Sequence, residues 1–462
     1  MTKPDVTLKL SDKAANIYEA VRDLPIVSPH GHCDPAWFAE NTAFRDPAEL
    51  LIIPDHYVFR MLYSQGVPLA SLGVGVPVKD RDPRAIFQLF AAHWHLFLGT
   101  PSHLWLAHTL AHSFGVSDRL TPDNAMAIYD IIDDALQRDA FQPRALFDSF
   151  DIAVLATTDG ALDDLAYHST IAQSDWKGRV VPTFRPDAVL NPSAPNYVRD
   201  VARLGEITNC DTANFLGYLA ALGQRRAYFK DHGATATDHD VPIIWTEWLD
   251  LETAKAMFKK ALAGQLDAEQ RTRLYGHMLI EMAQMSVEDG LVMQIHAGSA
   301  RSTNLSVLDE FGTDKGADIP RRADWVAGLN GMLNRVGNSP DLTLIAFTLD
   351  ETGYAREMAP MAGHWPALRL GPPWWFHDSA NGIARYLDQV VETAGYWNLA
   401  GFNDDTRAFL SIPARHDLWR RGVSLHLAQQ CDRGVMNSAD AAHIARLLSH
   451  DLALSTYRLG EA

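Results

Sequence analysis

Eight short apolar runs punctuate the sequence, and most of them are rich in β-branched residues. Continuous apolar runs of this length are typical of strands that are buried on both faces, as in a parallel sheet. The pattern therefore predicts eight buried strands, which occupy residues 24–30, 151–158, 179–184, 241–245, 291–298, 342–348, 368–376 and 397–404.

Helix-like segments lie between the later runs. Residues 267–290 have apolar positions at helical spacing and end on a glycine, and residues 379–397 begin with Ser379 as a candidate N-cap. Strands that alternate with helices imply crossover connections and a parallel sheet. Eight such units predict an α/β fold of the TIM (β/α)8 barrel type. The alternative is an open doubly wound sheet, and the lack of a GxGxxG sequence after an early strand argues against its nucleotide-binding version.

The first two runs are separated by far more chain than one crossover needs. We therefore predict a helical insertion at about residues 34–150, between the first and second strands, with the apolar segment 83–116 at its core. A smaller elaboration is predicted at about residues 187–240. The whole chain, residues 1–462, is predicted to be one metal-dependent barrel domain.

Net charge limits the partners that the chain can bind. The 462 residues carry a net charge of −17. Such an acidic surface repels phosphate backbones, so we expect no nucleic-acid partner. It also repels anionic small molecules, so an acidic substrate would need a local basic pocket.

Cysteine usage and hydropathy bear on the cellular context. Cys33, Cys210 and Cys431 are too few for a disulfide framework, and the polar start of the chain lacks a signal-peptide pattern. These features predict a cytoplasmic protein. No run of 18 apolar residues occurs, so we expect no membrane association through a spanning helix. Assembly into a homo-oligomer is compatible with the sequence.

Two histidines end the first predicted strand. Residues i and i+2 of a strand point to the same side, so the imidazoles of His30 and His32 can meet one metal ion. A second pair with this spacing, His93 and His95, lies in a helical pattern in which i and i+2 diverge. His108 and His112 share a helix face but lack the glutamate of a zincin motif, so we interpret them as structural.

Further polar and aromatic side chains lie where predicted strands end. Active sites of TIM barrels collect at the carboxyl ends of the strands. Three histidines and an aspartate at one barrel mouth match an N/O ligand set for Zn²⁺ or a similar divalent ion. Each residue also has a structural interpretation, since an aspartate can cap a helix and a tryptophan can fill space. The candidates are Arg185, His296, Trp374, Trp375 and either Asp404 or Asp405.

Arginines also gather near these strand ends. A planar guanidinium is the preferred partner of a carboxylate, so arginines at the mouth of an acidic protein indicate an acidic small substrate. Tyr57, which follows His56, can supply a phenol for proton transfer or can simply pack. The arginines in question are Arg60, Arg185, Arg301 and Arg407.

Seven segments together resemble the uronate isomerases, the glucuronate isomerase branch of the amidohydrolase superfamily. The resemblance runs nearly from end to end and is weakest in residues 60–150 and 187–290. The tryptophan pair followed by Phe376 and Asp378, and the run Asp-Thr-Arg-Ala-Phe-Leu-Ser, are its most specific parts. The segments are 28–41, 54–62, 157–168, 180–187, 293–304, 372–379 and 401–421.

The resemblance implies a single metal ion, with Zn²⁺ the expected one. The family pattern of Asp, any residue, Arg selects Asp405 with Arg407, which makes His30, His32 and Asp405 the implied ligands. Two-metal relatives use a lysine ending the fourth strand and a histidine on the sixth. Here the predicted strands end with Trp245-Thr246 and Thr348-Leu349, which favours one metal. The active-site positions that match the family are His56, Tyr57, Arg185, His296 and Arg407.

Departures from the family pattern concern two loops. The first motif reads Ser-Pro-His-Gly-His-Cys-Asp, and the loop after the sixth strand reads Thr-Leu-Asp-Glu. Both differ from the commoner family sequences. The resemblance therefore implies the reaction type more firmly than the range of substrates.

The implied activity is interconversion of D-glucuronate with D-fructuronate, and also of D-galacturonate with D-tagaturonate. The reaction moves a proton between C2 and C1, with Asp405, Arg407, Tyr57 and His56 as expected catalytic groups. Alternatives are a mononuclear metal hydrolase that acts on a sugar-acid lactone or amide, and a non-catalytic sugar-acid binding protein. The expected substrate-binding residues are Arg185, His296, Arg301, Trp374 and Trp375.

Overall fold

Seven parallel strands and one further bridge form the central barrel of the computed structural model, which describes residues 7–460. The second and third strands each resume after a short break, at Asp159–Gly160 and Phe184–Arg185. The main strands are Ile26–Ser28, Ile152–Ala156, Val180–Val181, Ala236–Val241, Val292–Ala297, Leu344–Thr348 and Leu368–Leu370.

Neighbouring barrel strands pair in chain order and in parallel. Representative register pairs are Val27 with Val154, Leu155 with Val180, Phe184 with Thr237, His239 with Ile295, Ile345 with Gln294 and Ala346 with Leu370. The eighth position is a parallel bridge between Leu370 and Leu399. The amide of His32 donates to the carbonyl of Thr406 at 3.0 Å, which joins the ends of the first and eighth positions. The predicted (β/α)8 barrel is confirmed.

The fourth strand is displaced from its predicted place. The apolar run 241–245 was expected to form it, but the strand is Ala236–Val241. Ile243 is 52% exposed and Trp245 is 41% exposed, so the run leaves the barrel after Val241. The true strand carries Asp238, His239 and Asp240, which a search for apolar runs overlooks. Polar side chains are tolerated there because charged partners inside the barrel satisfy them.

Two other predicted strands are shorter than expected. The seventh ends at Leu370, and a 3₁₀ turn at Trp375–His377 follows it. The eighth run begins with another 3₁₀ turn, Tyr396–Asn398. The argument for a single metal ion relied on Trp245-Thr246 as the end of the fourth strand, but these residues lie beyond it. That strand ends in Val241 and still presents no lysine.

Helices surround the barrel. The predicted helix near 267–290 is Ala268–Asp289, with a capping box at Asp267 and Gly290 in the left-handed conformation at its end. Ser379 caps Ala380–Ala394 as predicted. The other α-helices outside the insertion are Asp12–Glu19, Ala166–Gln173, Asp187–Leu190, Tyr197–Thr208, Phe215–Asp231, Leu251–Leu262, Leu305–Phe311, Trp325–Val336, Glu351–Gly353, Ala359–Ala362, Ile412–Asp432, Ser438–Arg446 and Leu452–Thr456, with π-helical turns at Tyr354–Met358 and Leu447–Asp451.

The chain between the first and second strands is helical, as predicted. Four of its helices start with a proline in the first turn after an aspartate or threonine N-cap, at Asp34, Asp46, Asp82 and Thr100. The helices are Pro35–Glu40, Pro47–Leu51, His56–Tyr63, Pro83–Ala92, Pro101–His112, Ala125–Leu136 and Pro143–Ser149, with 3₁₀ turns at Leu69–Leu72, Val78–Asp80, Trp94–Phe97 and Asp139–Phe141.

Buried apolar side chains separate into an outer layer, an insertion core and a barrel interior. The insertion core includes Phe87, Phe90 and Phe97, and its cluster extends to Ile26 and Ile152 of the first two barrel strands, distinct from the larger cluster of the outer layer. The assignment of the whole chain to one domain stays a prediction. Among the helices of the described residues, none combines the length and apolar character needed to cross a membrane.

The buried His277 generates a prediction about acid stability. Its Nδ1 accepts the amide of Leu249 at 3.3 Å, and burial lowers its pKa to about 4. Between pH 6.5 and 4 the unfolded chain therefore binds a proton at this histidine, whereas the folded chain does not. The free energy of unfolding therefore decreases as the pH is lowered. From pH 7 to 5, wild type should lose about 2 kcal/mol relative to His277→Gln.

Urea unfolding of both proteins at pH 7, 6 and 5 measures this difference. The variant carries no titrating group at this position. The contributions of all other titrating groups therefore cancel when the unfolding free energies of the two proteins are subtracted. Parallel pH dependence of the two unfolding free energies would contradict the assignment of a neutral, buried His277.

Candidate metal centre and active site

The carboxylate of Asp405 lies between two imidazoles at the mouth of the barrel. Its Oδ1 atom is 3.1 Å from Nε2 of His32 and 3.5 Å from Nε2 of His30. His30 is buried, whereas His32 is partly exposed. Burial lowers the pKa of His30 to about 4, so its ring is neutral near pH 7 and can offer a lone pair. Both histidines therefore meet one carboxylate, as predicted, although they lie in the loop after the first strand, which ends at Ser28.

Of the two adjacent aspartates, Asp405 rather than Asp404 faces these imidazoles. The Asp404 carboxylate lies 3.1 Å from Nε2 of His416, on the helix that follows the eighth strand position. Asp405 has a φ of 39°, a left-handed conformation that few non-glycine residues adopt. This backbone turn lets two successive side chains point in different directions. The geometry thereby identifies Asp405 as the aspartate of the cluster, a choice that the spacing of the sequence left open.

His296, at the end of the fifth strand, joins the cluster from the other side. Its ring stacks on His30 with centroids 4.9 Å apart, and its Nε2 is 4.0 Å from Oδ2 of Asp405. The Nδ1–H group donates to Asp238 at 2.7 Å, which turns Nε2 toward the site. Although burial opposes it, His296 and Arg185 hold the pKa of Asp238 well below its usual range. Nε2 has no hydrogen-bond partner within residues 7–460.

Two overlapping sets of donor atoms could hold a metal ion. Both include His30; one adds His32 and Asp405, and the other adds Asp238 and His296, with ligand atoms within 4.8 Å of one another in each set. The second set is wholly buried, and Asp238 is already bound to His296. The first set reaches solvent through His32 and offers two imidazoles and one carboxylate, a donor set that suits a divalent ion. The residues present therefore fit one such ion on the first set.

Two of the predicted arginines are tightly paired with carboxylates. Nε of Arg185 donates to Asp187 at 2.8 Å and lies 3.5 Å from Asp238. Arg301 lies 3.1 Å from Asp240 and 3.2 Å from Asp318. The fourth strand thus presents two aspartates that order two arginines at the mouth.

Arg407 is held more loosely than these two. The ion pair that it forms with Asp314 spans 3.8 Å, and the Asp314 side chain is 53% exposed. A pair of this length at an exposed position is weak. Of these three arginines, Arg407 is therefore the one whose charge a substrate can bind with the least competition from protein carboxylates.

The insertion contributes His56 and Tyr57 to the barrel mouth. Asp55 caps the helix His56–Tyr63 and accepts the amide of Tyr57. Nε1–H of Trp375 donates to Nε2 of His56 at 2.6 Å, and the His56 and Tyr57 rings stack with centroids 4.9 Å apart. Burial lowers the pKa of His56 well below its usual range and raises that of Tyr57 well above it.

The two tryptophans line the mouth, as expected for substrate-binding residues. Trp374 meets the His296 ring edge-on at 4.9 Å, and the Arg301 guanidinium lies 5.3 Å from its ring centroid. Trp375 lies 5.8 Å from the guanidinium of Arg60. The neighbouring Phe376 belongs to the same predicted motif, but its side chain lies outside the described part of the structure.

The histidine pairs interpreted as structural lie apart from the metal cluster. His93 ends the helix Pro83–Ala92, and its Nδ1 contacts the carbonyl of Leu89 at 2.8 Å. His108 and His112 stack on each other with centroids 4.1 Å apart. None of these residues belongs to a potential metal group among the described residues.

Asp238 and Asp240 are the site residues that the sequence pattern missed. They lie in a strand interrupted by polar residues, and the search for apolar runs placed that stretch in an elaboration. The signal that could have found them is the run Asp-His-Asp immediately before the apolar residues 241–245. A strand end with alternating carboxylates is a candidate mouth position of a barrel.

Comparisons with known proteins identify the family. A family model described as glucuronate isomerase matches residues 1–455. The uronate isomerase of Mesorhizobium japonicum is 52% identical over 450 residues, which cover 96% of each chain. The uronate isomerase of Rhizorhabdus wittichii is also 52% identical, over 96% of this chain and 95% of that one.

Solved structures give the same result. The glucuronate isomerase of Caulobacter crescentus superposes with a TM-score of 0.96 at 46% identity and covers 100% of this chain and 96% of that one. The uronate isomerase of Thermotoga maritima gives 0.92 at 26% identity and covers 99% of both chains. With the barrel, the histidine–aspartate cluster and full-length similarity in agreement, the chain belongs to the glucuronate isomerase family and is an isomerase.

Proposed function

We propose that the protein interconverts D-glucuronate with D-fructuronate, and D-galacturonate with D-tagaturonate. The observation that carries the proposal is the Asp405 carboxylate, buried between His30 and His32, in a chain of the glucuronate isomerase family. Arginines at the mouth of an acidic protein suit a sugar-acid substrate. The arrangement also suits the proton transfers of an aldose–ketose isomerase.

One divalent ion, Zn²⁺ in our proposal, would be held by His30, His32 and Asp405. When bound, it would supply a Lewis acid that polarises substrate oxygens. The support is chemical: two imidazoles and one carboxylate converge there, and three protein ligands leave a coordination position open. Asp238 orients His296 beside this group and is not counted as a ligand.

The isomerisation requires a base at C2 and a proton donor at the carbonyl end. Removal of the C2 proton converts the C2–H pair into a C1–C2 double bond, and the aldehyde oxygen gains the charge of an enediolate. A proton then enters at C1, and transfer of the hydroxyl proton from O2 to O1 gives the ketone and the C1 hydroxyl. The base and the donor must therefore face adjacent carbons.

Asp405 is our candidate base, and Tyr57 is our candidate donor. Although burial opposes it, the interactions with the imidazoles of His30 and His32 hold the pKa of Asp405 below its usual range, so the carboxylate is ionised and can accept a proton. The raised pKa of Tyr57 keeps the phenol protonated. Arg407 would stabilise the enediolate charge, and His56, neutral and bound to Trp375, would hold the phenol-bearing helix in place.

Substrate orientation is assigned to the other arginines and to His296. Arg185 uses Nε for its hydrogen bond to Asp187, which leaves its two Nη groups for the C6 carboxylate. Arg301 would reinforce this grip from beside Trp374, with both tryptophans as walls. Nε2 of His296 would meet a sugar hydroxyl.

The proposal extends to cellular location and assembly. Cys33, Cys210 and Cys431 form no disulfide, which supports the proposal of a reducing cytoplasmic compartment. A homo-oligomer remains compatible with the chain.

Turnover of D-glucuronate tests the proposed function. Protein supplied with Zn²⁺ should convert D-glucuronate into D-fructuronate, as followed by NMR, and a chelator should abolish the reaction. In D₂O the product should carry deuterium at C1, because the proton passes through exchangeable groups. A panel of sugar-acid lactones and amides is the control. Hydrolysis of that panel without any isomerisation of glucuronate or galacturonate would transfer the function to a hydrolase.

The neighbouring aspartates offer a matched test of metal binding. Asp405→Asn should weaken zinc binding by about 100-fold or more, because a charged ligand is lost, whereas Asp404→Asn should change it by about tenfold or less. Competition with a chromogenic chelator gives both dissociation constants. Equal losses in the two variants would contradict the assignment of Asp405.

The same substitution tests the base. Asp405→Asn should lower kcat by about a thousandfold or more at saturating zinc, since it removes both a ligand and the proton acceptor. Asp314→Asn is the control, because its exposed ion pair is weak, and it should stay within a few-fold of wild type. A kcat for Asp405→Asn within tenfold of wild type would exclude the proposed role.

A further inference from the structure

Arg415 is a buried guanidinium directly behind the metal cluster. It lies in the first turn of the helix Ile412–Asp432 and is 1% exposed. Its Nε donates to Oγ of Ser411 at 3.0 Å, and its Nη1 donates both to the carbonyl of Asp404 at 3.3 Å and to the carboxylate of Asp378. A charge this deep is expensive unless it is fully paired, so its contacts indicate a specific role.

The first group of contacts fixes the loop that carries Asp405. Arg415 binds the backbone carbonyl of Asp404, while His416, the next residue of the helix, binds the Asp404 carboxylate at 3.1 Å. Asp404 is thus held at two points immediately before the left-handed turn at Asp405. Since that backbone conformation is disfavoured, surrounding contacts must maintain it.

The ion pair with Asp378 reaches the loop after the seventh strand. Asp378 is 5% exposed and follows the two tryptophans by three residues. Trp375 also has a positive φ, 56°, and donates to His56. One buried pair therefore connects the aspartate loop with the tryptophan loop.

The flat face of the guanidinium makes the third connection. It lies 3.5 Å from the ring centroid of Trp105 and 5.1 Å from that of Tyr57, both of which belong to the helical insertion. Stacking of this kind requires a planar cation, which lysine cannot supply. Three separate segments of the chain thus meet on Arg415.

We propose that Arg415, through its ion pair with Asp378, is a positioning residue that sets the distance between the Asp405 carboxylate and the Tyr57 phenol. This role rests on the metal site and the catalytic roles proposed above. Neither residue touches the substrate. Their effect is transmitted through the Asp404 carbonyl on one side and through the stacked rings on the other.

Arg415→Lys tests the proposal, with Arg420→Lys as its matched control. Arg420 lies on the same helix, is also buried, and donates to the carbonyls of Arg22, Leu24 and Pro25, away from the cluster. Arg415→Lys should weaken zinc binding by about tenfold to 100-fold. At saturating zinc it should also lower kcat by about 100-fold, with KM within about threefold of wild type, because the reacting groups are misplaced while substrate contacts remain.

The control separates positioning from general destabilisation. Arg420→Lys should lower the melting temperature but leave zinc affinity and kcat within about twofold of wild type. Losses of zinc affinity and kcat in Arg420→Lys as large as those in Arg415→Lys would overturn the proposal. An Arg415→Lys protein with zinc affinity and kcat within twofold of wild type would overturn it as well.

Asp378→Asn provides a second line of evidence, including for the case in which Arg415→Lys does not fold. It keeps the side-chain shape, removes the charge and should reproduce the loss of zinc affinity. In the double variant the two losses should not multiply, because both break one connection. Fully multiplicative losses, or unchanged zinc affinity in Asp378→Asn, would contradict the role. Zinc affinity is measured without turnover, so these results stand apart from any failure of the isomerase assay.

Discussion

A buried carboxylate between two imidazoles is the constraint on which the rest of this structure depends. Asp405 can occupy that place only if its backbone turns through a left-handed conformation and its neighbour Asp404 is held elsewhere. Charged groups in a barrel interior must be paired, because burial removes their hydration. The cluster therefore extends outward through His296 and Asp238 to Arg185, so that each buried charge faces one of opposite sign.

The electrostatics of the mouth follow from this pairing. The aspartates of the fourth strand hold two arginines in place through ion pairs. The result is a rim of paired arginines and aspartates inside a chain of net charge −17. Because Arg407 is bound only loosely, the rim retains one cation that an incoming anion can engage.

Much of the architecture could be predicted from the hydrophobic pattern, since all eight apolar runs overlap barrel strands or the eighth bridge, although the fourth shares only Val241. The sequence also identified His30 and His32 as a pair, although they lie in the loop after the first strand and not within it. The prediction of the fourth strand was wrong for a physical reason. The inward positions of that strand hold Asp238 and Asp240, and partners distant in sequence stabilise the burial of these carboxylates. The role of Arg415 could not be predicted for the same reason, since it depends on contacts with residues that are 37 and 310 positions away in the sequence.

The origin of His56 and Tyr57 in the insertion has a mechanical consequence. The apolar cluster of the insertion also contains Ile26 and Ile152 of the first two barrel strands. The helix that carries the phenol and the strand that leads to the metal-ligating histidines thus pack against one continuous apolar body. A change of volume inside that body would displace both together, so the helix and the strand are mechanically coupled.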